Sequence, residues 1–521
     1  MSNNAEQTLL GHPKGLFTLF IVEMWERFSY YGMRALLVPY LVFKVLDNNA
    51  AFSGRGWSEA EAMHLYGTYT GLAYLFPIIG GIIADKLIGT HRSMITGALL
   101  ITLGHTILAL SGFGTLAFND TGMAVFITGL ALIVLGTGHF KPCVSVMVGQ
   151  LYKDGDQRRD GGFSIFYMGI NVGAALSAFV CGTLGEKVGW HAGFGAAAAG
   201  MILGLVVYHF GRPRYLPNIG NPPLGVKNYV PHFFSGSIIL SVLFGLFYYS
   251  GGVEKTALLY NTLTGIISPI ILIVTSLILL IGVAGWFIKI QAPEDRGPVL
   301  TVLSFIFFNA LFWMGFEQAG STLNLFAKNN TDRVIGGFEM PFTWFQSINP
   351  ILIIMLAPLY ALMWEKLGKR NKNPSQAVKI AIGLLFLGAG YSVMVKAGSL
   401  ASTGVQVGVG WLAATYALHT MGELSLSPTG LSFVTRVSPA KWVSLLMGIW
   451  FLSSVVANIG GGIVGGVITD IESGKIDISW FGFKFGGQGD FFAIFVVSSF
   501  IIAALTFILT PVFNRLLKRS A

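Results

Sequence analysis

The chain has 521 residues, of which 53% are hydrophobic and 11% charged, with a mean hydropathy of +0.68. A soluble domain of this size cannot bury so much apolar surface, so the composition excludes a soluble protein and predicts a polytopic membrane protein. The net charge of +9 comes from Lys and Arg scattered through loops between apolar segments. That distribution argues against nucleic-acid binding.

The chain begins with polar residues 1–13, which precede a full-length apolar segment without a small-residue cleavage site. We therefore expect no removable signal peptide. About fourteen apolar segments of roughly twenty residues follow, each long enough to cross a bilayer as a helix. They centre near residues 30, 73, 103, 131, 172, 200, 241, 275, 312, 352, 387, 421, 456 and 501. Basic residues collect in every second loop, which predicts that both termini lie in the cytoplasm.

The first segment carries charges where lipid contacts would be expected. At about 100° per residue, Glu23, Glu26, Arg27, Tyr30 and Arg34 fall on one helix face. Charges at bilayer depth are costly, so such a face normally points to a bundle interior or a water-filled path and marks function. The alternative is a purely structural ion pair between Glu23 and Arg27, which are spaced i, i+4.

The loop after the second segment reads GGIIADKLIGTHR, and the loop after the tenth reads MWEKLGKR. Both place an acid, a Lys-Leu pair, a Gly and a basic residue at a helix end, although turns of this composition are common. The first loop resembles the signature of the major facilitator superfamily, which implies a cytoplasmic gating motif. Its residues are Gly81, Asp85, Lys86, Gly89 and Arg92. A duplicated fold predicts six-helix halves at 1–212 and 298–521, with two inserted helices within 213–297.

The fourth segment contains GTGHFKP, in which Lys141 precedes Pro142. A phosphate loop is excluded, because Ser or Thr should stand where the proline does. Lys141 can offer a fixed cation to an anionic ligand in a cavity. The alternative is a lysine whose stem snorkels to the membrane interface.

Further polar residues occupy the later apolar segments. The fifth segment aligns Tyr167 and Asn171 for hydrogen bonding to a ligand, or to a neighbouring helix. Other candidates are Trp313 and Glu317 in the ninth segment, Asn349 in the tenth, Glu423 in the twelfth and Trp450 in the thirteenth. The two tryptophans are also compatible with lipid or packing contacts.

The intramembrane charges divide unequally between the halves. The first half has a cationic excess from Arg27, Arg34 and Lys141, whereas the second holds Glu317 and Glu423 without a partner cation of its own. A cavity between them would suit a zwitterion with separated carboxylate and ammonium groups. Buried carboxylates are also natural proton carriers.

Three motifs together resemble the proton-coupled oligopeptide transporter (POT) family of the major facilitator superfamily. They are Glu23-xx-Glu26-Arg27-Phe28, FYMGINVGA from Phe166, and GELSLSPTGLS from Gly422. The resemblance implies an all-α protein of fourteen membrane helices in the bacterial cytoplasmic membrane. It also implies import of dipeptides and tripeptides by alternating access, with protons as the coupling ion and no cofactor or enzymatic activity. A peptide-sensing receptor and a proton-coupled drug or sugar facilitator remain alternatives.

The resemblance also implies roles for individual residues. Proton coupling would involve Glu23, Glu26, Arg27 and Glu317. The peptide carboxylate would be bound by Arg34 and Lys141, and the amine by Asn171, Asn349 and Glu423. The pocket would be lined by Tyr31, Tyr69, Tyr74, Tyr167, Trp313 and Trp450. Gly67 stands where mammalian relatives carry a histidine, and we assign no proton role to the nearby His64.

Overall fold

The computed structural model describes residues 8–46, 49–153, 155–222, 227–256, 269–472, 478–480, 483–485 and 487–517. The helices of the first half are α1 (Lys14–Val42), α2 (Glu59–Ile83), α3 (Thr90–Leu110), α4 (Asp120–Gly149), α5 (Arg159–Ser177), α6 (Thr183–Lys187) and α7 (Trp190–Tyr215). They are followed by α8 (Val230–Tyr249) and α9 (Pro269–Lys289). The second half contains α10 (Pro293–Phe316), α11 (Thr322–Asn329), α12 (Ile348–Lys369), α13 (Gln376–Ala401), α14 (Gly410–Val437), α15 (Val443–Glu472) and α16 (Gln488–Leu516).

Short irregular elements connect these helices. Two π-helical turns span Ala84–Ile88 and Ala178–Gly182, and 3-10 turns span Gly114–Ala117, Glu317–Gly320, Phe342–Ser347 and Ala440–Trp442. The strands are β1 (Thr8–Leu9), β2 (His12–Pro13), β3 (Thr331–Asp332), β4 (Val334–Ile335), β5 (Phe338–Glu339), β6 (Val407–Gly408), β7 (Ile478–Trp480) and β8 (Phe483–Phe485). They form four two-stranded pairs: β1 with β2, β4 with β5 and β7 with β8 are antiparallel, while β3 with β6 is parallel.

The helices bear out the predicted all-α membrane class. Within the described residues, eleven helices are long and apolar enough to cross a membrane. Each of the fourteen predicted segment centres falls inside a long helix. Of the three outside the eleven, α1 and α14 carry polar residues of the predicted site, and α9 contributes the shorter apolar stretch Ile278–Lys289. That all fourteen segments span the membrane therefore stays a prediction.

Each half packs mainly within itself. In the first half, α3 packs against α4, α2 against α4, and α1 against α5 and α7; in the second, α13 packs against α14 and α16, and α10 against α15. Glycine allows the closest of these approaches. A Cβ at Gly104 on α3 would lie only 2.8 Å from the backbone oxygen of Gly129 on α4. Small residues let helices approach closely where lipid gives no hydrophobic driving force.

The predicted inserted helices lie at the periphery, one beside each half. Helix α8 packs against α3 and α4, whereas α9 packs against α10. The Tyr248 ring of α8 stacks on Trp57 with the ring centroids 6.3 Å apart, and Phe287 of α9 meets Trp442 at 5.3 Å. This placement leaves the interface between the halves to the other helices.

The two halves meet through α2 and α15, and Gly67 lies at that contact. A Cβ at Gly67 would stand 2.7 Å from the Asn458 oxygen and 2.9 Å from the Gly462 Cα. A histidine side chain therefore has no space here in this arrangement. His64, one turn closer to the start of α2, lies beside Gly466 of α15.

We expect Gly67→Ala to lower the apparent unfolding temperature of the detergent-purified protein. The added methyl overpacks a backbone contact, which typically costs about 1–3 kcal/mol. Gly282→Ala is the matched control, since no atom lies within 4 Å of its Cβ position and alanine favours a helix over glycine. Equal melting temperatures for Gly67→Ala and the parent would contradict the close packing of α2 on α15.

Candidate functional site

The charged face of α1 forms a buried cluster. Glu23, Glu26 and Arg27 are all at most 5% exposed. The Arg27 Nε lies 3.1 Å from Glu23 Oε1 and 2.5 Å from Glu26 Oε2. The i, i+4 pair that the sequence allowed is thus present, and a second carboxylate extends it. Two carboxylates share one guanidinium, which leaves the cluster with an excess of negative charge when both are ionised.

A second ion pair joins the two halves. Arg34 on α1 donates through Nη2 to Glu317 Oε2 and through Nε to the Tyr66 hydroxyl of α2. Both Arg34 and Glu317 are 6% exposed. The sequence predicted each charge at the site but not their pairing. Tyr66 was missed, and no motif in the sequence marks it.

A helix break positions Glu317. Helix α10 ends at Phe316, and Glu317 begins the following 3-10 turn. Gln318 holds this turn: its amide donates to the backbone oxygens of Met314 and Gly461 at 3.2 and 3.1 Å. Its oxygen accepts from the hydroxyls of Ser321 and Thr322 at 3.2 and 3.0 Å. Both donors and both acceptor positions of this carboxamide are used. The backbone from which the Glu317 side chain extends is therefore held in place.

A cavity of about 180 Å³ lies next to this pair, between the halves. Its lining residues are Tyr74, Lys141, Asn309, Trp313, Glu317, Trp450, Phe451, Ser454 and Asn458. The structure therefore brings together five predicted residues, including both tryptophans. Asn309, Phe451, Ser454 and Asn458 join them from α10 and α15. The cavity is smaller than the roughly 300–1,000 Å³ typical of sites for drug-sized ligands, which suits a small solute.

Lys141 projects into this cavity rather than snorkelling away from it. Its Nζ lies 3.8 Å from the centroid of the Tyr74 ring. A cation over an aromatic face gains about 0.5–2 kcal/mol, more when it is desolvated. Tyr74 thus fixes the position of a positive charge on the first-half wall, opposite Glu317.

Glu423 and Asn349 are hydrogen-bonded to each other and lie outside the residues that line this cavity. The Asn349 Nδ2 donates to Glu423 Oε2 at 2.9 Å and to the Thr420 hydroxyl at 3.0 Å. Glu423 is 7% exposed. In this arrangement Asn349 orients Glu423, while the sequence predicted that both residues contact the ligand.

The predicted tyrosine and asparagine residues of the first half occupy different environments. Tyr31 lies beside Arg34, with the guanidinium carbon 5.8 Å from its ring centroid. Tyr167 is 45% exposed, whereas Tyr69 is 3% exposed within the hydrophobic core and lies outside the cavity lining. The Asn171 amide donates to the Tyr167 backbone oxygen at 3.0 Å, so it bonds within α5 instead of bridging to another helix.

The predicted gating motif surrounds the π-helical turn after α2. Asp85 and Lys86 are exposed there. Gly89 has φ +81°, a conformation that favours glycine. The neighbouring His91 N–H donates to the Gly220 oxygen at 2.9 Å, which packs the motif that ends at Arg92 against the segment after α7. The related loop of the second half keeps regular helix to Lys369, which pairs with Glu365 at 2.6 Å.

Comparison with known proteins gives a consistent result. The model of the POT family matches residues 91–481. The peptide transporter YePEPT of Yersinia enterocolitica is 38% identical over 471 residues, covering 88% of this chain and 89% of that protein. A di-/tripeptide transporter of Lactococcus lactis is 36% identical, covering 92% and 93%. The crystal structure of a peptide transporter POT in complex with sulfate has a TM-score of 0.78 at 36% identity, covering 98% and 97%.

These relatives are transporters and not enzymes, and they cover nearly the whole length of the chain. Together with the cavity and the ion pair between the halves, they identify the chain as a multi-pass membrane transporter of the POT family.

Proposed function

We propose that this protein is a proton-coupled symporter that imports dipeptides and tripeptides by alternating access. One observation carries the proposal: the buried Arg34–Glu317 pair joins the two halves beside a cavity that Lys141 also lines. The names of the relatives, which include peptide and di-/tripeptide transporters, support the class of substrate.

The charge arrangement suits the two ends of a peptide. Arg34 and Lys141 provide positive groups for the carboxylate, and Glu423, held by Asn349, provides a negative group for the amine. A charged hydrogen bond is worth about 1.5–3 kcal/mol net, so two separated contacts discriminate strongly against uncharged solutes. A neutral sugar gains nothing from this polarity.

The Glu317 carboxylate and the peptide carboxylate compete for the same guanidinium, that of Arg34. When Glu317 is ionised, it occupies Arg34. When Glu317 takes up a proton, the pair weakens and Arg34 becomes available to a peptide carboxylate, which also loosens the contact between the halves. The Glu23–Glu26–Arg27 cluster supplies a second proton site on α1, the helix that carries Arg34. Protonation thereby promotes both substrate binding and the movement of the halves relative to each other.

The orientation follows from the charged loops. With both termini in the cytoplasm of a bacterium, the end where α1 finishes and α2 begins faces outward. The halves are in contact at that end, through α2 and α15. The arrangement is thus closed towards the outside, and in the proposed cycle residues 1–212 and 298–521 act as the two moving bodies. Helices α8 and α9, which pack at the periphery of the two halves, follow them and contact lipid.

Uptake of labelled dialanine into proteoliposomes tests this function. We expect accumulation above the external concentration when the outside is acidic, and its loss when a protonophore is added. Binding without uptake would indicate a peptide receptor. Uptake that equilibrates but never concentrates would indicate a facilitator, and either result would overturn the proposal.

Tyr74 tests how Lys141 contributes to binding. Replacing it by leucine removes the aromatic face under the ammonium, so we expect dialanine affinity to fall roughly 2- to 30-fold, corresponding to about 0.5–2 kcal/mol. Tyr74→Phe keeps the ring and is the matched control, with affinity close to that of the parent. Competition binding measures both. Parent-like affinity in Tyr74→Leu would remove this cation–π contact from the site.

A further inference from the structure

Glu186 makes a half-buried contact between the halves that lies outside the substrate cavity and its charged residues. It stands in α6, at the outward end of the first half in the orientation proposed above. Its Oε1 accepts hydrogen bonds from the Thr343 backbone N–H at 3.0 Å and from the Thr343 hydroxyl at 2.6 Å. Its Oε2 accepts from the Phe342 N–H at 3.1 Å. All three donors belong to the turn that precedes α12 in the second half.

Two neighbouring hydrogen bonds connect the same elements. The Trp344 indole N–H donates to the Thr183 hydroxyl at 2.8 Å, and the Ser347 hydroxyl donates to the Ala175 oxygen at 2.7 Å. The approach is close enough that a Cβ at Gly182 would lie 2.7 Å from the Thr343 Cβ. Five hydrogen bonds therefore run from one short turn of the second half to α5 and α6 of the first half.

We propose that Glu186 is a latch that holds the outward end of the transporter closed, by binding the turn Phe342–Ser347. This inference rests on the alternating-access function proposed above. Opening outward must separate α6 from this turn, which exposes two backbone N–H groups and a hydroxyl together with their carboxylate acceptor. Because an ionised acceptor makes hydrogen bonds roughly twice as strong as a neutral one, the carboxylate provides much of the closing free energy.

Lys187, the next residue, offers a matched control. Its Nζ lies 3.3 Å from Glu339 Oε2, so it also joins the halves, but both side chains are about half exposed. The hydrogen bond from Lys187 and the charge of Arg333 lower the pKa of the Glu339 carboxyl, which keeps that carboxyl ionised at neutral pH. Exposed pairs contribute about 0–1 kcal/mol and are screened by salt. Glu186 and Lys187 thus make contacts at the same place, but Glu186 is half-buried and accepts three hydrogen bonds, whereas Lys187 is exposed and makes one ion pair.

Distance measurements between spin labels test the latch in the full-length protein in nanodiscs. Val188→Cys and Val334→Cys place labels on exposed positions of opposite halves, while the native Cys143 and Cys181 are fully buried. In Glu186→Gln the side chain keeps one acceptor oxygen, loses its charge and turns an amide towards the Phe342 N–H. We expect the ratio of long to short distances to rise about tenfold, or about 1.4 kcal/mol.

Lys187→Gln should leave the parent distance distribution unchanged, and Thr343→Ala, which removes one of the three donors, should give an intermediate shift. An unchanged distribution in Glu186→Gln would overturn the latch, as would an equal shift in Lys187→Gln, since surface charge alone would then explain it. The distances are measured without peptide or proton gradient. Failure of dialanine uptake in the parent would therefore reject symport without altering this result.

Discussion

Glu317→Gln is expected to abolish concentrative uptake of dialanine in proteoliposomes while leaving the protein able to bind peptide. The substitution removes a proton-binding group and the only charge that pairs with Arg34 in the described part of the chain. Breaking a buried ion pair by removing one partner typically costs about 3–5 kcal/mol. This cost changes the equilibrium constant between conformations with and without the pair by more than tenfold. The accumulated concentration should fall to that of the medium.

The exposed Glu365 provides the control for this experiment. It pairs with Lys369 at 2.6 Å on the surface of α12, with its side chain 57% exposed. Glu365→Gln removes the same carboxylate chemistry and should retain parent uptake. Glu317→Gln protein that still concentrates dialanine, at a parent level of expression, would remove Glu317 from the proton path. Counterflow exchange, which needs no gradient, separates loss of coupling from loss of binding.

The sequence predicted the membrane fold well because lipid imposes a simple rule on it. Every membrane helix must be long and apolar, so the fourteen segment centres could be read from hydrophobicity, and all lie within helices. The charged face of α1 was predictable for the same reason, since charges in an apolar helix stand out. The structure adds that Glu23, Glu26 and Arg27 form one cluster.

Contacts between distant parts of the chain could not be predicted in this way. Arg34 and Glu317 are separated by 283 positions, and hydrophobic periodicity contains no information about which helices meet. The sequence does not single out Glu186, because a charge near the end of an apolar helix is typical of an ordinary interfacial residue. Only the folded arrangement shows that its carboxylate is used by the opposite half.

Side-chain orientation limited the prediction of the binding residues. Tyr69 and Tyr74 lie on the same helix, yet Tyr74 faces the cavity and Tyr69 lies in the core. Asn349 was predicted to contact the ligand, but its amide is engaged by Glu423 and Thr420. Residue type and spacing identified four of the helices that line the cavity, α2, α4, α10 and α15, whereas the rotation of each helix and its neighbours decide which side chains reach it.

Glu423→Gln is expected to remove most of the preference for a free peptide amine. In the parent, acetylation of the dialanine amine should weaken competition roughly 10- to 150-fold, because a charged hydrogen bond worth about 1.5–3 kcal/mol is lost. In Glu423→Gln the free and acetylated peptides should compete almost equally. The glutamine oxygen can still accept from the Asn349 amide, so the local structure is preserved while the charge is removed.

Amidation of the peptide carboxylate provides the complementary test, at the other end of the peptide. That change removes the group expected to bind Arg34 and Lys141, which lie on the other half of the protein. It should therefore weaken binding by the same factor in the parent and in Glu423→Gln, since separated sites contribute independently. If acetylation instead weakened binding equally in both proteins, the amine would be recognised elsewhere and the assignment of the two walls would be wrong. Specific coupling between Glu423 and the amine, without coupling to the carboxylate, is the signature of a cavity that reads the two ends of a peptide separately.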